Sequence, residues 1–208
     1  MNLREKLHLY FVMGSTNCGD QKPIEVLKQA LDGGVTMFQL REKGNACLKG
    51  TEKIKFAQEV QSLCQAYDVP FIVNDDVDLA LFLEADGVHI GQEDGNAVEV
   101  RRKLGNRILG VSTHNVSEAK HAMELGADYI GIGPMFPTST KSDICEVKGT
   151  GVIETIRAAG VVMPIVGIGG INETNASQVL RAGADGVAVI SALSTEPWKA
   201  KTFFSSGA

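Results

Sequence analysis

The chain has 208 residues, of which 44% are hydrophobic and 22% charged, a composition typical of a globular protein. A formal net charge of −5 argues against a basic nucleic-acid-binding domain. The four cysteines form no C-x-x-C pair, so we interpret them as reduced thiols of a cytoplasmic protein. The sequence contains neither an apolar run of membrane-spanning length nor a signal-peptide pattern. We therefore expect no nucleic-acid or membrane partner, and the sequence leaves homo-oligomerisation open.

Eight short apolar runs recur along the chain. Several are apolar throughout, which is typical of strands buried on both faces of a parallel sheet. The runs are Leu7–Val12, Thr36–Leu40, Pro70–Asn74, Gly87–Ile90, Ile108–Val111, Tyr129–Gly133, Pro164–Gly167 and Gly186–Ile190.

Segments with helical spacing lie between these runs. They include Pro23–Asp32, Thr51–Ala66, Val77–Leu83, Ser117–Leu125 and Asn172–Arg181. Eight alternations of strand and helix predict a single-domain (β/α)8 TIM barrel over residues 1–208. The alternative is an open doubly wound sheet, but the turn Met13–Gly19 does not match the G-x-G-x-x-G pattern that such a sheet often carries.

One helix-to-strand turn occurs three times, with an Ala-Asp pair just before the strand. The three copies are Glu84–Gly87, Gly126–Tyr129 and Gly183–Gly186. Their unequal spacing indicates a repeated β/α unit and not a solenoid of fixed period.

In a barrel of this kind the active site lies at the carboxyl ends of the strands, and polar residues and glycines follow the predicted strands here. Arg41, Lys43 and Lys141 form a cationic group suited to a phosphate or diphosphate. The alternative is that Arg41 and Lys43 pair with Glu42 and nearby acids at the rim.

Two further groups at the strand ends have a recognisable chemistry. Asp75 and Asp94 follow neighbouring strands and predict a Mg²⁺ site beside the phosphates, with helix capping as the alternative, which we prefer for Asp76. The glycine-rich run Gly167–Gly170, together with Ile190–Ser191, predicts a second phosphate site, with a tight turn as the alternative.

The histidines give a weaker signal. His89 lies within a buried-strand pattern, so we interpret it as a structural residue. Ser112 and His114 are two residues apart at a strand end, and this spacing alone does not define a nucleophile and its base.

In order along the chain, these motifs resemble those of the thiamine-phosphate synthase family, from Leu9–Val12 to Ile190–Ser191. The segments that carry the resemblance are Gln39–Lys43, Val73–Asp76, Gly87–Asp94, Gly110–Ser112, Gly131–Pro134, Phe136–Lys141 and Gly167–Ile171. That family joins hydroxymethylpyrimidine diphosphate to a thiazole phosphate, which gives thiamine phosphate and pyrophosphate.

The resemblance implies roles for residues of these segments. Residues expected to hold the pyrimidine diphosphate are Gln39, Arg41, Lys43, Asn74, Ser112 and Lys141, with Leu40 and Glu42 as further substrate-binding residues of the same segment. Residues expected at the thiazole phosphate are Thr138, Thr140, Gly170, Ile190 and Ser191, and Ser139 is a further expected substrate-binding residue. The residues expected to be catalytic are Arg41, Lys43, Ser112 and Lys141, and the Mg²⁺ ligands are Asp75 and Asp94.

Two further hypotheses remain open from the sequence. The segment Ser142–Gly151 follows Lys141 and is a candidate lid over the site. The rival functions are a thiazole tautomerase on the same fold and a non-catalytic barrel that binds phosphorylated ligands. A tautomerase needs no diphosphate site, so the combination of Arg41, Lys43, Asp75, Asp94 and Lys141 argues against it.

Overall fold

The computed structural model describes residues 2–92, 97–138 and 147–204. Eight parallel strands pair in chain order, and β8 closes on β1, where Phe11 lies opposite Val189. The strands are β1 Leu9–Met13, β2 Met37–Leu40, β3 Phe71–Asn74, β4 Gly87–Ile90, β5 Ile108–Thr113, β6 Tyr129–Ile132, β7 Ile165–Ile168 and β8 Gly186–Val189. The predicted (β/α)8 barrel is confirmed, and each strand lies within two residues of its expected bounds.

Helices alternate with the strands. Within the described residues they are α1 Leu3–Lys6, α2 Pro23–Asp32, α3 Gly50–Ala66, α4 Val77–Phe82, α5 Ala97–Leu104, α6 Val116–Glu124, α7 Gly151–Ala158, α8 Ala176–Arg181, α9 Ser191–Thr195 and a 3₁₀ helix, Pro197–Thr202. No helix in these parts of the chain is long and apolar enough to cross a membrane.

Helix α8 begins four residues later than the helical spacing predicted. The Asn172 side chain accepts hydrogen bonds from the backbone and the hydroxyl of Thr174, and the Asn172 N–H donates to the Asn175 side chain. These bonds stabilise a turn that competes with helix formation. The prediction that the helix starts at Asn172 was therefore wrong.

The strands are apolar on both faces because the barrel has two cores. Leu9 and Phe11 of β1 belong to the cluster that includes the helix side chains, whereas Tyr10 and Val12 belong to a second cluster with Tyr129 of β6. Successive side chains of a strand point to opposite faces, so this second cluster fills the barrel interior. Burying a large apolar side chain contributes about 1.5–3 kcal/mol, and both clusters stabilise the closed sheet.

The repeated Ala-Asp turns stabilise the amino-terminal end of the barrel. In each copy the aspartate carboxylate accepts the backbone N–H of a residue at the start of the preceding strand. The pairs are Asp86–Phe71, Asp128–Leu109 and Asp185–Ile165, each at 2.8 Å. The Thr36 hydroxyl accepts the N–H of Leu9 at 2.9 Å in the same way. These four contacts join β1–β2, β3–β4, β5–β6 and β7–β8 at the end remote from the strand carboxyl ends.

Candidate active site

A cavity of about 480 Å³ opens at the carboxyl ends of the strands. It brings together predicted site residues that lie at the ends of six of the eight strands or in the loops after them. Those that line it are Gln39, Arg41, Lys43, Asn74, Asp75, Ser112, Thr138, Gly170, Ile190 and Ser191. The barrel thus gathers residues from distant parts of the sequence into one site.

Strand alternation divides the segment Gln39–Lys43. Gln39, Arg41 and Lys43 line the cavity, as expected of every second residue in an extended chain. Leu40 is buried in the core that faces the helices. Glu42 also lies outside the cavity wall, and its carboxylate contacts neighbouring loops. The segment therefore presents three polar side chains to the cavity.

The Glu42 carboxylate connects two loops at the rim. It accepts hydrogen bonds from the backbone N–H of Ser15, from the Ser15 hydroxyl at 2.9 Å and from the backbone N–H of Leu48 at 2.8 Å. Ser15 follows β1, and Leu48 precedes α3. Glu42 thus fixes the loops on either side of the chain that carries Arg41 and Lys43.

Asp75 and Lys43 form an ion pair in the cavity wall, with 2.9 Å between Lys43 Nζ and Asp75 Oδ2. Asp75 has a φ of +62°, a left-handed conformation that Asp tolerates better than most residues. Its backbone N–H donates to the carbonyl of His89 at 2.9 Å, which anchors this turn to β4. One predicted cation and one predicted metal ligand therefore lie in direct contact, as the alternative of rim ion pairs anticipated.

Asp76 caps α4, as the sequence predicted. Its carboxylate accepts the N–H of Leu79 at 2.9 Å and contacts Lys53 Nζ at 2.6 Å. Burial favours a higher pKa for this carboxyl, but the bonds from Lys53 and Leu79 hold the pKa below its ordinary value. Asp76 is thus held outside the cavity wall while Asp75 contributes to it.

The other side of the cavity contains the glycine-rich turn after β7. Gly169 and Gly170 have φ values of +99° and +66°. A Cβ on Gly170 would lie 2.6 Å from the carbonyl oxygen of Pro137, in the loop after β6. These glycines are therefore required for a tight turn and for close packing of two loops. Ser191 begins α9 beside them and also lines the cavity.

A chain of hydrogen bonds crosses the cavity wall. Its links join Gln39 Nε2 to the Tyr10 hydroxyl at 2.7 Å, Tyr10 to the Tyr129 hydroxyl at 2.8 Å, Tyr129 to His89 Nδ1 at 3.0 Å, and His89 Nε2 to Ser112 Oγ at 2.9 Å. Gln39, Tyr10 and Tyr129 are almost fully buried.

The sequence alone did not identify several residues of this chain of hydrogen bonds as site residues. His89, interpreted from the sequence as a structural residue, also lines the cavity and contacts Ser112. Tyr10 and Tyr129 lie in apolar strands, so the strand pattern alone does not mark them as site residues. The available signal was the hydroxyl itself, because a buried tyrosine usually finds a hydrogen-bond partner.

His114 lies at the rim, where the Glu118 carboxylate accepts a hydrogen bond from its Nδ1 at 2.9 Å. Burial favours a higher pKa for Glu118, but hydrogen bonds from His114 and Asn115 lower that pKa overall. The structure gives Ser112 His89 as its imidazole partner, which agrees with the sequence reading that Ser112 and His114 do not form a nucleophile–base pair.

Four of the predicted site residues lie outside the described residues. They are the metal ligand Asp94 and the substrate-binding residues Ser139, Thr140 and Lys141. The same holds for positions 142–146 of the candidate lid.

Comparison with known proteins agrees with this arrangement. Residues 9–193 match the family model described as thiamine monophosphate synthase. The chain belongs to the thiamine monophosphate synthase family. It is therefore a transferase of thiamine biosynthesis, and neither rival function is favoured.

The similarity of this thiamine monophosphate synthase family member to individual relatives extends over most of the chain. It is 56% identical to the thiamine-phosphate synthase of Geobacillus kaustophilus (strain HTA426), over 94% of this chain and 88% of that protein. It is 57% identical to the thiamine-phosphate synthase of Bacillus cereus (strain ATCC 10987 / NRS 248), over 90% of this chain and 84% of that one. The solved thiamine phosphate pyrophosphorylase of Pyrococcus furiosus superposes with a TM-score of 0.85 at 36% identity, covering 97% of this chain and 96% of that one.

Proposed function

We propose that the cavity binds hydroxymethylpyrimidine diphosphate and a thiazole phosphate side by side and joins them into thiamine phosphate. The observation that carries this proposal is the division of one cavity into two polar regions. Cationic and carboxylate groups follow β2 and β3, and the glycine-rich turn and Ser191 follow β7 and β8. Two anionic groups on two substrates need two such regions.

The proposed diphosphate subsite contains Arg41, Lys43, Asn74 and Ser112, and we infer from the family resemblance that Lys141 also belongs to it. A guanidinium, an ammonium, an amide and a hydroxyl are all hydrogen-bond donors to phosphate oxygens. A pair of unit charges about 4 Å apart contributes about 4 kcal/mol at an effective dielectric of about 20. Because charges beyond a Debye length of about 8 Å are largely screened, these local cations outweigh the net charge of −5.

The residues at this subsite fit a Mg²⁺ ion. Asp75 supplies a carboxylate in the cavity wall beside the cations, and we infer that Asp94 supplies a second. The described residues contain no group of three or more acidic, His or Cys side chains that would form a closed metal cage. Mg²⁺ commonly uses one or two carboxylates together with phosphate oxygens, which matches this donor set. When bound, the ion supplies charge stabilisation for the departing pyrophosphate.

The thiazole phosphate subsite consists of Thr138, Gly170, Ile190 and Ser191, with Ser139 and Thr140 from the adjacent segment. The glycine backbone permits close approach of a ligand, and the hydroxyls of Thr138 and Ser191 are hydrogen-bond donors. The loops after strands 7 and 8 are a frequent phosphate site in barrels of this type. Ile190 provides an apolar wall for the thiazole ring.

The reaction breaks the C–O bond between the pyrimidine methylene carbon and the diphosphate, and the electron pair leaves with pyrophosphate. The thiazole nitrogen then forms a C–N bond to that carbon. No proton has to be removed and no covalent enzyme intermediate is needed. The chain's own contribution is to orient the two substrates and to stabilise the departing anion with Arg41, Lys43, Ser112 and Lys141.

The three described cysteines, Cys18, Cys47 and Cys64, are free thiols. Burial raises the pKa of Cys18 to about 11 and that of Cys64 to about 12, which keeps both in the unreactive thiol form. Free thiols are usual in the reducing cytoplasm, and we infer that the enzyme acts there.

The proposal is tested by mixing purified protein with both substrates, with and without Mg²⁺, and measuring thiamine phosphate after oxidation to a fluorescent thiochrome. We expect product that depends on Mg²⁺ and on both substrates. Folded protein that binds the thiazole phosphate but forms no product would overturn the proposal and favour a tautomerase or a binding protein.

A further inference from the structure

We propose that Tyr129 is a positioning residue that fixes the tautomer of His89 and so makes Ser112 a hydrogen-bond donor to the diphosphate. The assignment of the tautomer rests on the hydrogen-bond chain alone. The role given to the Ser112 hydroxyl rests on the proposed function, and the tests below separate the two.

The direction of the chain follows from its buried end. The Gln39 amide nitrogen can only donate, so the Tyr10 oxygen accepts from it at 2.7 Å. Tyr10 has one hydroxyl proton, and the Tyr129 oxygen lies 2.8 Å from the Tyr10 oxygen, so we infer that Tyr10 donates this bond and Tyr129 accepts it. Tyr129 in turn directs its own proton to His89 Nδ1 at 3.0 Å.

Both phenol hydroxyls stay protonated at neutral pH. Tyr10 and Tyr129 are 1% and 0% exposed, and burial raises the pKa of each hydroxyl above its ordinary value. Both hydroxyls therefore keep their protons throughout the neutral range, and Tyr129 can donate to Nδ1 of a neutral imidazole. A neutral imidazole that accepts at Nδ1 carries its proton on Nε2.

The tautomer decides what Ser112 can do. With its proton on Nε2, His89 donates to Ser112 Oγ across 2.9 Å and cannot accept the serine proton. Ser112 is then not activated as a nucleophile. Its oxygen accepts from His89, and its own proton is directed to a ligand anion. In the opposite tautomer Ser112 would donate its proton to His89 Nε2, and the diphosphate subsite would lose one hydrogen-bond donor.

The surrounding strands are shaped to hold this contact. Gly110 of β5 lies beside the meeting point of Tyr129 and His89, and a Cβ there would lie 2.5 Å from His89 Nδ1. A Cβ on Gly131 of β6 would lie 3.1 Å from the same imidazole ring. Real Cβ atoms do not approach to 2.5 Å, so any other residue at position 110 would displace the Tyr129–His89 bond.

The first experiment is ¹⁵N NMR of the imidazole nitrogens in the ligand-free protein. The chain has four histidines, and His89→Gln assigns the signal of interest. We expect the Nε2–H tautomer in the unmodified protein and loss of that preference in Tyr129→Phe. Tyr10→Phe keeps the Tyr129 hydroxyl but removes the donor that orients it, so the preference for the Nε2–H tautomer should weaken less than in Tyr129→Phe. Either the Nδ1–H tautomer in the unmodified protein or no response to Tyr129→Phe overturns the proposal.

The second experiment asks whether Tyr129 acts through Ser112. We expect Tyr129→Phe to raise KM for the pyrimidine diphosphate about tenfold, the effect of about one hydrogen bond to a charged group, with KM for the thiazole phosphate nearly unchanged. In a Ser112→Ala background the same change should have little further effect. Additive effects would overturn the positioning role.

The chain contains a matched control for these variants. Tyr67, the third tyrosine, donates its hydroxyl to Asp32 at 2.6 Å on the outside of the barrel. Tyr67→Phe should leave both the His89 tautomer and the KM values unchanged. The expected tautomer response in a protein without synthase activity would support the positioning of His89 and overturn the proposed function.

Discussion

Glu42 and Ser15 are joined by two hydrogen bonds, from the backbone N–H and from the hydroxyl of Ser15 to the Glu42 carboxylate. With the third bond, from the Leu48 N–H, this carboxylate connects the loops after β1 and β2. A Cβ on Gly14, next to Ser15, would lie 3.0 Å from Glu42 Oε1, so the two loops are closely packed. Glu42 thus holds in place the loops on either side of Arg41 and Lys43 without lining the cavity itself.

We predict that Glu42→Ala destabilises the protein and weakens binding of the diphosphate substrate. Leaving a buried donor unsatisfied costs about 1–3 kcal/mol, and the partly buried donors of Ser15 and Leu48 should cost less than this in total stability; about 1 kcal/mol lowers Tm by about 2–4 °C in a chain of this size. Thermal denaturation and KM for each substrate measure the two effects. Glu52→Ala, at an exposed position of α3, is the control. An equal rise in KM for both substrates would contradict the inference that Glu42 acts by positioning Arg41 and Lys43.

A second prediction concerns the glycine-rich turn. Gly170→Ala combines a left-handed φ of +66° with a Cβ 2.6 Å from the Pro137 carbonyl oxygen, so it should displace the loop after β6 and raise KM for the thiazole phosphate at least several-fold. Gly160→Ala has a similar φ of +85° but no atom within 4 Å of the added Cβ. It should lose only about 1 kcal/mol of stability from backbone strain. If both variants changed KM equally, loop packing would not explain the effect.

The fold was predictable because its signals are local and repeated. A parallel barrel buries both faces of each strand, which produces the apolar runs, and the Ala-Asp turns marked three of the eight units. The start of α8 was not predictable from apolar spacing, because the hydrogen bonds of Asn172 with Thr174 and Asn175 override it.

The site was predictable at the strand ends and less so within the strands. The rule that barrel sites lie at the carboxyl ends found Arg41 and Asp75. Leu40 and Glu42 were included because the resemblance treats residues 39–43 as one block, whereas the period of two along a strand separates them. His89 lies inside a strand, and only the closure of the barrel shows that it reaches the cavity.

The third prediction tests the other end of the barrel. The Asp128 carboxylate accepts the Leu109 N–H at 2.8 Å and pairs with Arg101 at 2.9 Å. Asp128→Ala should lower the free energy of unfolding by about 1–3 kcal/mol with both KM values unchanged, because Asp128 lies at the amino-terminal end of β6. Urea denaturation measures the free energy of unfolding, and the thiochrome assay measures the two KM values. Asp78→Ala, whose side chain is 92% exposed, should change neither. A large loss of activity in folded Asp128→Ala would refute the separation of stability from catalysis.

The fourth prediction is a pH dependence of stability. The pKa of Glu118 is lowered in the folded state, below its ordinary value of 4.5. Its stabilising contribution is therefore complete above that value and is lost as the pH falls through the lowered pKa. Glu118→Gln should be less stable than the unmodified protein at neutral pH, and the difference should shrink in acid. Urea denaturation across that range, with the exposed Glu99→Gln as control, tests this. A stability difference that grows in acid would mean that folding raises the pKa of Glu118, contrary to the prediction.

The fifth prediction concerns the ion pair of Lys43 and Asp75 and the Mg²⁺ proposed for this subsite. Asp75→Asn keeps the shape and suits the left-handed φ of +62°, so the fold should persist, while the Mg²⁺ concentration needed for half-maximal turnover should rise at least tenfold. Asp78→Asn, on an exposed part of α4, is the matched control. Circular dichroism checks the fold, and Mg²⁺ titration of thiochrome formation gives the answer. An unchanged titration in folded Asp75→Asn would remove Asp75 from the metal site.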